Sequence, residues 1–335
     1  MDVDAERFDP PCRRVELCAL RELAREDLLE ILEGALDGDR AVLGRMLEHR
    51  GLQIGGRAVG SEDLPERIAS GTRILGWALE REPEPIPLDA SSVRLDEEGI
   101  VAVAKPAWLP VQGTRASQRY ALEAELRRLL GVPTLRAAHR LDRETSGLVL
   151  FTRDREAAAW LGRALARHEI ERQYLAIVSP APERTEFTVE GEIVRRLDSR
   201  RIRFALVDRP EPRSRSSSTR FRVVASRGGG ACVLAEPRTG RSHQIRVHLA
   251  AAGSPIVGDR LYGAAQCAGR TLLHAFRLRL RLPSGVVRSL EAEPPEDLAR
   301  AFAGAEGNGV QRPGEQAEES LGSPRPECGE GVRDA

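Results

Sequence analysis

The stretch "AAHRLDRETSGLVLFTRD", residues 137–154, joins a polar loop to an apolar strand and decides how the central part of the chain folds. Its first half crowds charged side chains around one short carboxylate, Asp142, which lies between Arg140 and Arg143. Its second half, "GLVLFTR", is an apolar run typical of a buried strand. Asp154 then has the position of an N-cap for the helical pattern that follows. The loop at the mouth of this strand is therefore either a salt-bridged turn or a functional site.

Further strand-like segments surround this stretch and predict a mixed fold. They are "GIVAVAKP", "QYLAIVS", "TRFRVVAS", "ACVLAEP" and "TLLHAFRLRL". A helix is predicted within "DREAAAWLGRALARHEI", with one face lined by Trp160, Leu161, Ala164, Leu165 and His168. Many strands with few helices favour an α+β fold built around a central, mostly antiparallel sheet.

Changes in composition divide the chain into five parts. Residues 20–80 read as a small α/β module, with two helical patterns, a hairpin around Gly55-Gly56 and a further strand. The predicted parts are an N-terminal extension at 1–19, this module at 20–80, a Pro/Glu-rich linker at 81–91, the main domain at 92–303 and an acidic tail at 304–335. The tail has almost no large apolar residue, and we expect it to be disordered.

The formal net charge of zero hides a strong asymmetry. Residues 101–290 contain 34 basic and 17 acidic side chains, a balance of +17, and the rest of the chain carries −17. A basic body with acidic ends is typical of a domain that binds a polyanion, although an accidental surface bias would look the same.

Other composition features exclude several classes of protein. The five cysteines are scattered and form no C-x-x-C pair, which predicts reduced thiols with neither a disulfide framework nor a zinc site. Neither an apolar run long enough to span a bilayer nor a signal-peptide pattern is present, so we expect a cytoplasmic protein without membrane contact. The chain lacks a phosphate-binding glycine loop and a dinucleotide fingerprint, and we expect no cofactor and no metal.

Two more segments carry candidate site residues. "PRTGRSHQIRVHLAAAGSPIVGD", residues 237–259, is either a polar strand or helix end at the surface, or a set of cations that meets a polyanion. Tyr174 in "RQYLAIV" is one of only three tyrosines, and a core position is its commoner role. From the residues alone, both segments stay open.

Together, "HRLDRETSGLVLFTRD", "RQYLAIV" and "TGRSHQIRVHLAAAGSPIVGDRLYG" closely resemble the three motifs of the RluA family of pseudouridine synthases. The resemblance extends over nearly all of residues 92–303 and implies that family's catalytic domain. It implies isomerisation of a specific uridine to pseudouridine in ribosomal or transfer RNA, by a chain that we expect to be a monomer. The aspartate of "HRLD", Asp142, corresponds to the family's catalytic nucleophile.

The resemblance also implies roles for the other motif residues. Tyr174 corresponds to the tyrosine that lies over the target base, and Arg246 to the arginine paired with the catalytic carboxylate. Arg140 corresponds to a residue that holds the place of the flipped nucleotide in the RNA. The remaining third-motif residues are implied in site architecture or RNA contact: Arg241, His243 and Gln244.

The sequence departs from the family pattern at three positions and in its N-terminal module. Arg172 replaces the usual lysine before the tyrosine, Trp108 replaces a common glycine and Gln112 a frequent histidine. Residues 20–80 resemble a diverged form of the small RNA-binding domain that often precedes this catalytic domain, but they contain few basic residues. Ordinary RNA binding and a changed role are both open for this module.

Two rival functions stay open beside the synthase. One is a non-catalytic RNA-binding or ribosome-assembly protein that retains the fold, although binding alone would not require Asp142, Tyr174 and Arg246 together. The other is an RNA hydrolase that uses Asp142, which neither a metal cluster nor a paired general acid supports.

Overall fold

The computed structural model of the chain describes residues 7–8, 10–198, 201–263 and 269–303. The predicted tail at 304–335 lies outside the described residues. None of the helices in the described part is both long and apolar enough to cross a membrane.

The N-terminal module is a four-stranded antiparallel sheet covered by two helices. Its sheet has the strand order β1-β6-β3-β4, and β2 pairs with β5 in a separate two-stranded sheet. The elements are β1 (Cys12–Cys18), β2 (Leu23–Ala24), α1 (Arg25–Ala35), α2 (Arg40–Glu48), β3 (Leu52–Ile54), β4 (Arg57–Val59), β5 (Arg67–Ile68) and β6 (Arg73–Leu79). Asp39 caps α2 by accepting hydrogen bonds from the backbone of Ala41 and Val42.

The hairpin predicted around Gly55-Gly56 is the pair β3–β4. The sheet of this module also includes β1, which pairs along its whole length with β6 and lies ahead of the predicted boundary at residue 20. The strand is hard to recognise in the sequence because Val15 is the only residue in it with a buried side chain.

The main domain contains one sheet of eleven strands. Nine strands follow the order β13-β12-β14-β15-β11-β16-β10-β8-β7, while β17 pairs with β16 and β9 with β10. The strands are β7 (Val93–Glu97), β8 (Ile100–Lys105), β9 (Arg136–Ala137), β10 (Ser146–Thr152), β11 (Glu171–Val178), β12 (Glu186–Asp198), β13 (Arg201–Val207), β14 (Arg215–Arg227), β15 (Gly230–Pro237), β16 (Leu273–Arg281) and β17 (Val287–Glu291). Its helices are α3 (Leu122–Leu130), α4 (Arg155–Ala166), α5 (Gln244–Ala251) and α6 (Glu296–Ala303).

Strand pairing confirms the predicted α+β class with a mostly antiparallel sheet. Among the described strands only β10 and β16 pair in parallel, at Ser146 and Gly147. Gly147 is required there, because a Cβ atom on it would lie 2.2 Å from the carbonyl oxygen of Ala275 and its φ is +107°. The close approach fixes the strand that directly follows the Asp142 loop.

Helix α4 covers one face of the sheet, as its sequence pattern predicts. Asp154 accepts a hydrogen bond from the backbone of Ala157, and Leu161 and Ala164 are buried. The prediction that His168 lies on the same helix face is wrong. The helix ends before it, His168 has a φ of +58° and its side chain is exposed.

Candidate active site

The residues of the three motifs meet in one cleft. It has a volume of about 250 Å³ and lies where the Asp142 loop, strand β11 and the start of helix α5 come together. All seven predicted site residues line it: Arg140, Asp142, Tyr174, Arg241, His243, Gln244 and Arg246. Arg172, which stands where the family usually has lysine, also lines the cleft.

Asp142 is held by a charge-assisted hydrogen bond across the cleft. The Nη1 atom of Arg246 donates to Oδ2 of Asp142 at 2.7 Å, although the two residues are 104 positions apart in the sequence. Asp142 keeps 28% of its side chain exposed. The carboxylate is therefore both anchored and reachable from the cleft.

Arg246 is itself fixed from behind by a second carboxylate. Its Nε and Nη2 atoms donate to Oδ2 and Oδ1 of Asp259 at 2.7 and 2.8 Å, and the Asp259 side chain is fully buried. Oδ1 of Asp259 also accepts hydrogen bonds from the backbone of Leu261 and Tyr262. A bidentate pair of this kind fixes the plane of the guanidinium group and hence the direction in which Nη1 points.

Burial and charge oppose each other at Asp142. Burial acts to raise the pKa of its carboxyl group, but the positive charges of His243, Arg246 and Arg140 outweigh it, and the pKa lies below its ordinary value. Burial lowers the pKa of His243, so its ring contributes positive charge only under more acidic conditions than an ordinary histidine would. The permanent charges that keep Asp142 ionised at neutral pH are therefore those of the arginines.

His243 lies between Asp142 and Tyr262. Its Nε2 atom is 3.8 Å from Oδ1 of Asp142, and its Nδ1 atom is 2.8 Å from the hydroxyl of Tyr262. The guanidinium carbon of Arg246 lies 5.2 Å from the centre of the Tyr262 ring. Tyr262 thus packs against both residues that contact the carboxylate.

Tyr174 is placed in the cleft by an irregularity of its strand. The register of β11 against β16 shifts between Gln173 and Tyr174, and such a bulge redirects a side chain. The side chain is 8% exposed, and burial raises the pKa of its phenol. The hydroxyl is therefore protonated at neutral pH.

The hydrogen bonds of Gln244 indicate a positioning role. Its amide oxygen accepts from the hydroxyl of Thr239 and the backbone of Arg241, while its amide nitrogen donates to Ser218 and Thr219. These four bonds use the capacity of the amide. Gln244 therefore supports the turn that carries Arg241, which argues against a direct RNA contact by its own amide.

The loop that carries Asp142 is also tied to the far end of the domain. Arg270 donates from Nη1 to the carbonyl of Glu144 at 2.9 Å and forms a bidentate pair with Asp297 at the start of α6. The Glu144 carboxylate accepts from the backbone and the hydroxyl of Thr271. These contacts fix the loop on the side away from Arg246.

Lys105 holds the same loop from inside the protein. This fully buried side chain donates to the carbonyls of Pro106, Leu109 and Arg143 at 2.8 to 3.0 Å. Sequence reasoning missed Asp259, Tyr262 and Arg270 as parts of the site. The segment "VGDRLYG" contained a signal for the first two, since it continues the third motif.

Comparison with known proteins agrees with this geometry. The RNA pseudouridylate synthase family matches residues 99–251. The "Ribosomal large subunit pseudouridine synthase D" of Xylella fastidiosa is 30% identical over 305 residues, which cover 84% of this chain and 85% of that protein. This chain belongs to the RluA family of RNA pseudouridine synthases.

A second relative and a solved structure extend the comparison. The mitochondrial "tRNA pseudouridine(32) synthase" of Saccharomyces cerevisiae is 31% identical over 211 residues, which cover 63% of this chain and 45% of that protein. The structure of human RNA pseudouridylate synthase domain containing 1 is similar in fold. It has a TM-score of 0.53 at 24% identity and covers 65% of this chain and 90% of that one.

The family defines the enzyme class. The chain is an RNA pseudouridine synthase, which isomerises uridine to pseudouridine within RNA. No cluster of three or more His, Cys, Asp or Glu side chains that could hold a metal ion occurs among the described residues.

Proposed function

We propose that Asp142 is the nucleophile of the isomerisation and that Arg246 keeps it ionised and correctly oriented. The observation that carries the proposal is the 2.7 Å hydrogen bond from Nη1 of Arg246 to Oδ2 of Asp142, backed by the buried carboxylate of Asp259. An ionised carboxylate with one oxygen anchored presents its other oxygen to the cleft. Such a group can attack an electrophilic carbon.

The reaction begins with extraction of the target nucleotide. A uridine stacked in RNA is flipped out at a cost of a few kcal/mol, and contacts between phosphates and the basic body offset that cost. Arg140 is exposed beside Asp142 and is proposed to contact the RNA at the place that the nucleotide has left. Arg241 and His243 are proposed to contact the RNA near the target base.

Asp142 then attacks either carbon 6 of the uracil ring or the anomeric carbon of the ribose. The glycosidic bond to nitrogen 1 breaks, the uracil turns, and carbon 5 bonds to the ribose. Loss of the proton from carbon 5 completes the isomerisation, and release of Asp142 restores the enzyme. Tyr174 contacts the flipped base through its ring.

The proposed substrate is large-subunit ribosomal RNA. The support is the relative from Xylella fastidiosa, whose similarity extends well beyond the catalytic core. Transfer RNA is the alternative, since the yeast relative is named for it. Mapping pseudouridines in total RNA from cells with and without this gene distinguishes the two. The RNA that loses a pseudouridine when the gene is absent is the substrate.

Asp142→Asn tests the proposed nucleophile. The variant is nearly isosteric, but an amide is a poor nucleophile, so pseudouridine formation is expected to fall below detection. RNA affinity is expected to stay within tenfold, about 1.4 kcal/mol. The matched control is Asp96→Asn, which removes a surface carboxylate paired with Arg153 and is expected to leave turnover unchanged. An Asp142→Asn enzyme that turns over appreciably contradicts the proposal.

A further inference from the structure

A second cavity lies directly beside the active-site cleft. It has a volume of about 240 Å³ and shares Gly240 and Arg241 with the cleft as a common wall. The floor is apolar and includes Ile193 and Phe204 from the hairpin formed by β12 and β13. Four arginines line it: Arg195, Arg213, Arg215 and Arg241.

Within the described residues, these arginines lack the carboxylate partner that some of their neighbours have. On the same strands, Arg196 pairs with Glu211 at 2.6 Å and Arg220 pairs with Glu186 at 2.9 Å. Within the described ranges, no ion pair is formed by Arg195, Arg213 or Arg215, and all three side chains are exposed. The lining of the cavity contains no acidic side chain. Among the described residues, no carboxylate therefore neutralises the positive charge that lines the cavity.

Backbone geometry places two of these charges. Arg215 lies directly opposite Ile193 in the pairing of β12 with β14, so both side chains are on the face of the cavity. Arg213 has a φ of +68°, a conformation that costs a residue with a side chain free energy and that clusters at functional sites. The turn around it is held by a hydrogen bond from the backbone of Ser214 to the carbonyl of Glu211.

One aromatic contact links the cavity to the catalytic carboxylate. The Phe204 ring meets the His243 ring edge-on with 5.1 Å between centres, and His243 in turn lies beside Asp142. A ring with unpaired arginines around it has the chemistry of a single-stranded nucleotide site, because the ring stacks a base and the guanidinium groups bind the flanking phosphates.

We propose that this cavity is a subsite for a nucleotide that neighbours the target uridine in the RNA strand. The inference rests on the proposed function, because the two cavities are adjacent along one strand only if the target base enters the Asp142 cleft. The shared wall at Gly240 and Arg241 is where the connecting phosphate passes. The hairpin thereby selects RNA whose neighbouring nucleotide is unpaired.

The test measures binding of a fluorescein-labelled decauridylate as the salt concentration is raised. In single-stranded RNA each neutralised phosphate adds about 0.7 to the slope of log affinity against log salt. Arg195→Gln/Arg215→Gln is expected to lower that slope by about 0.7 to 1.4 for one or two lost phosphate contacts. The control Arg155→Gln/Arg163→Gln removes two exposed arginines from α4, which packs on the opposite face of the sheet, and is expected to leave the slope unchanged.

Phe204→Leu tests the stacking half of the proposal. It is expected to weaken decauridylate binding by about fivefold or more without changing the slope, because a base loses its ring partner while the phosphates keep their arginines. Equal loss of slope in the cavity variant and the control would overturn the subsite in favour of diffuse attraction. An unchanged slope in both, or no binding of decauridylate by the unmodified protein, would also overturn it. The readout needs no turnover, so an active Asp142→Asn enzyme would refute the proposed nucleophile without touching this result.

Discussion

Asp259→Asn tests whether the buried carboxylate behind Arg246 holds the site together. The substitution keeps the shape of the side chain but replaces one of the two acceptor oxygens that face the guanidinium group of Arg246 with an NH2 group, which cannot accept a hydrogen bond. Removing one partner of a buried ion pair costs about 3–5 kcal/mol of folding stability. Arg246 retains a second carboxylate, Asp142, at 2.7 Å, so we expect the lower end of that range, about 3 kcal/mol.

Thermal unfolding measures this loss. For a domain of 150–250 residues, 1 kcal/mol corresponds to about 2–4 °C in melting temperature, so the expected decrease is about 6–12 °C. The control is again Asp96→Asn, because Asp96 also forms a bidentate pair, with Arg153, but at the surface. An exposed pair contributes at most about 1 kcal/mol, and the control is expected to melt within about 4 °C of the parent protein.

Turnover distinguishes a positioning role from a merely structural one. Asp259 does not line the cleft, so Asp259→Asn is expected to leave KM for RNA nearly unchanged. The guanidinium group loses its fixed plane, and kcat is expected to fall even at temperatures where the variant is fully folded. Melting and kcat equal to those of the control would refute the reasoning, and a raised KM with normal kcat would make Arg246 an RNA contact instead.

Four further outcomes are expected. Tyr174→Ala should weaken RNA binding by about 1–3 kcal/mol through lost stacking, whereas Tyr174→Phe should retain affinity, and its kcat then reports the role of the hydroxyl alone. Because the folded-state pKa of Asp142 is lowered, its ionisation stabilises the folded protein at pH values above the unfolded pKa of about 3.9, and this stabilisation is lost as the pH falls through the lower folded pKa. Arg140→Gln removes one of the charges that lower this pKa, so the acid limb of the kcat/KM profile should move to higher pH. RNA affinity of residues 92–303 should fall steeply with salt, and a flat dependence would contradict the polyanion argument. Truncation after residue 304 should leave folding and activity intact, and their loss would contradict the composition argument for the tail.

Local sequence signals predicted the parts of the fold that depend on local physics. The apolar run in β10 and the N-cap Asp154 were both identified because strand burial and capping leave short patterns. The hairpin of β12 and β13 was missed, since its strands mix arginines and glutamates with apolar residues and resemble a surface loop. Helix α3 was missed because its first turn follows a loop and lacks a side-chain cap.

The site was predictable only as far as motif resemblance reached. Asp142 and Arg246 could be paired through the family, but the carboxylate that orients Arg246 comes from a turn thirteen positions further on. No periodicity links a helix residue to a turn carboxylate, because the contact depends on how the chain reverses after α5. The role of Gln244 was likewise open, since two of its four hydrogen bonds go to Ser218 and Thr219 on a strand that is distant in the sequence.

One departure from the family pattern, Trp108, lies in the loop after β8 and acquires a physical reason there. Trp108 has a φ of +69°, the left-handed conformation that glycine favours, so a large ring occupies a position whose backbone suits glycine. That ring is 8% exposed and stacks on Phe8 with 6.5 Å between centres. The strain of the backbone is therefore offset by burial of an aromatic surface against the N-terminal part of the chain.

The same loop connects the N-terminal module to the Asp142 loop. His49 is buried at the end of α2, and its Nδ1 atom lies 2.7 Å from the hydroxyl of Ser117. The backbone N–H of Gln118 donates a hydrogen bond to the carbonyl of His49. At the other end of the loop, Lys105 donates to the carbonyls of Leu109 and Arg143 and so joins it to the residue after Asp142. A module with few basic residues thus packs against the segment that supports the Asp142 loop.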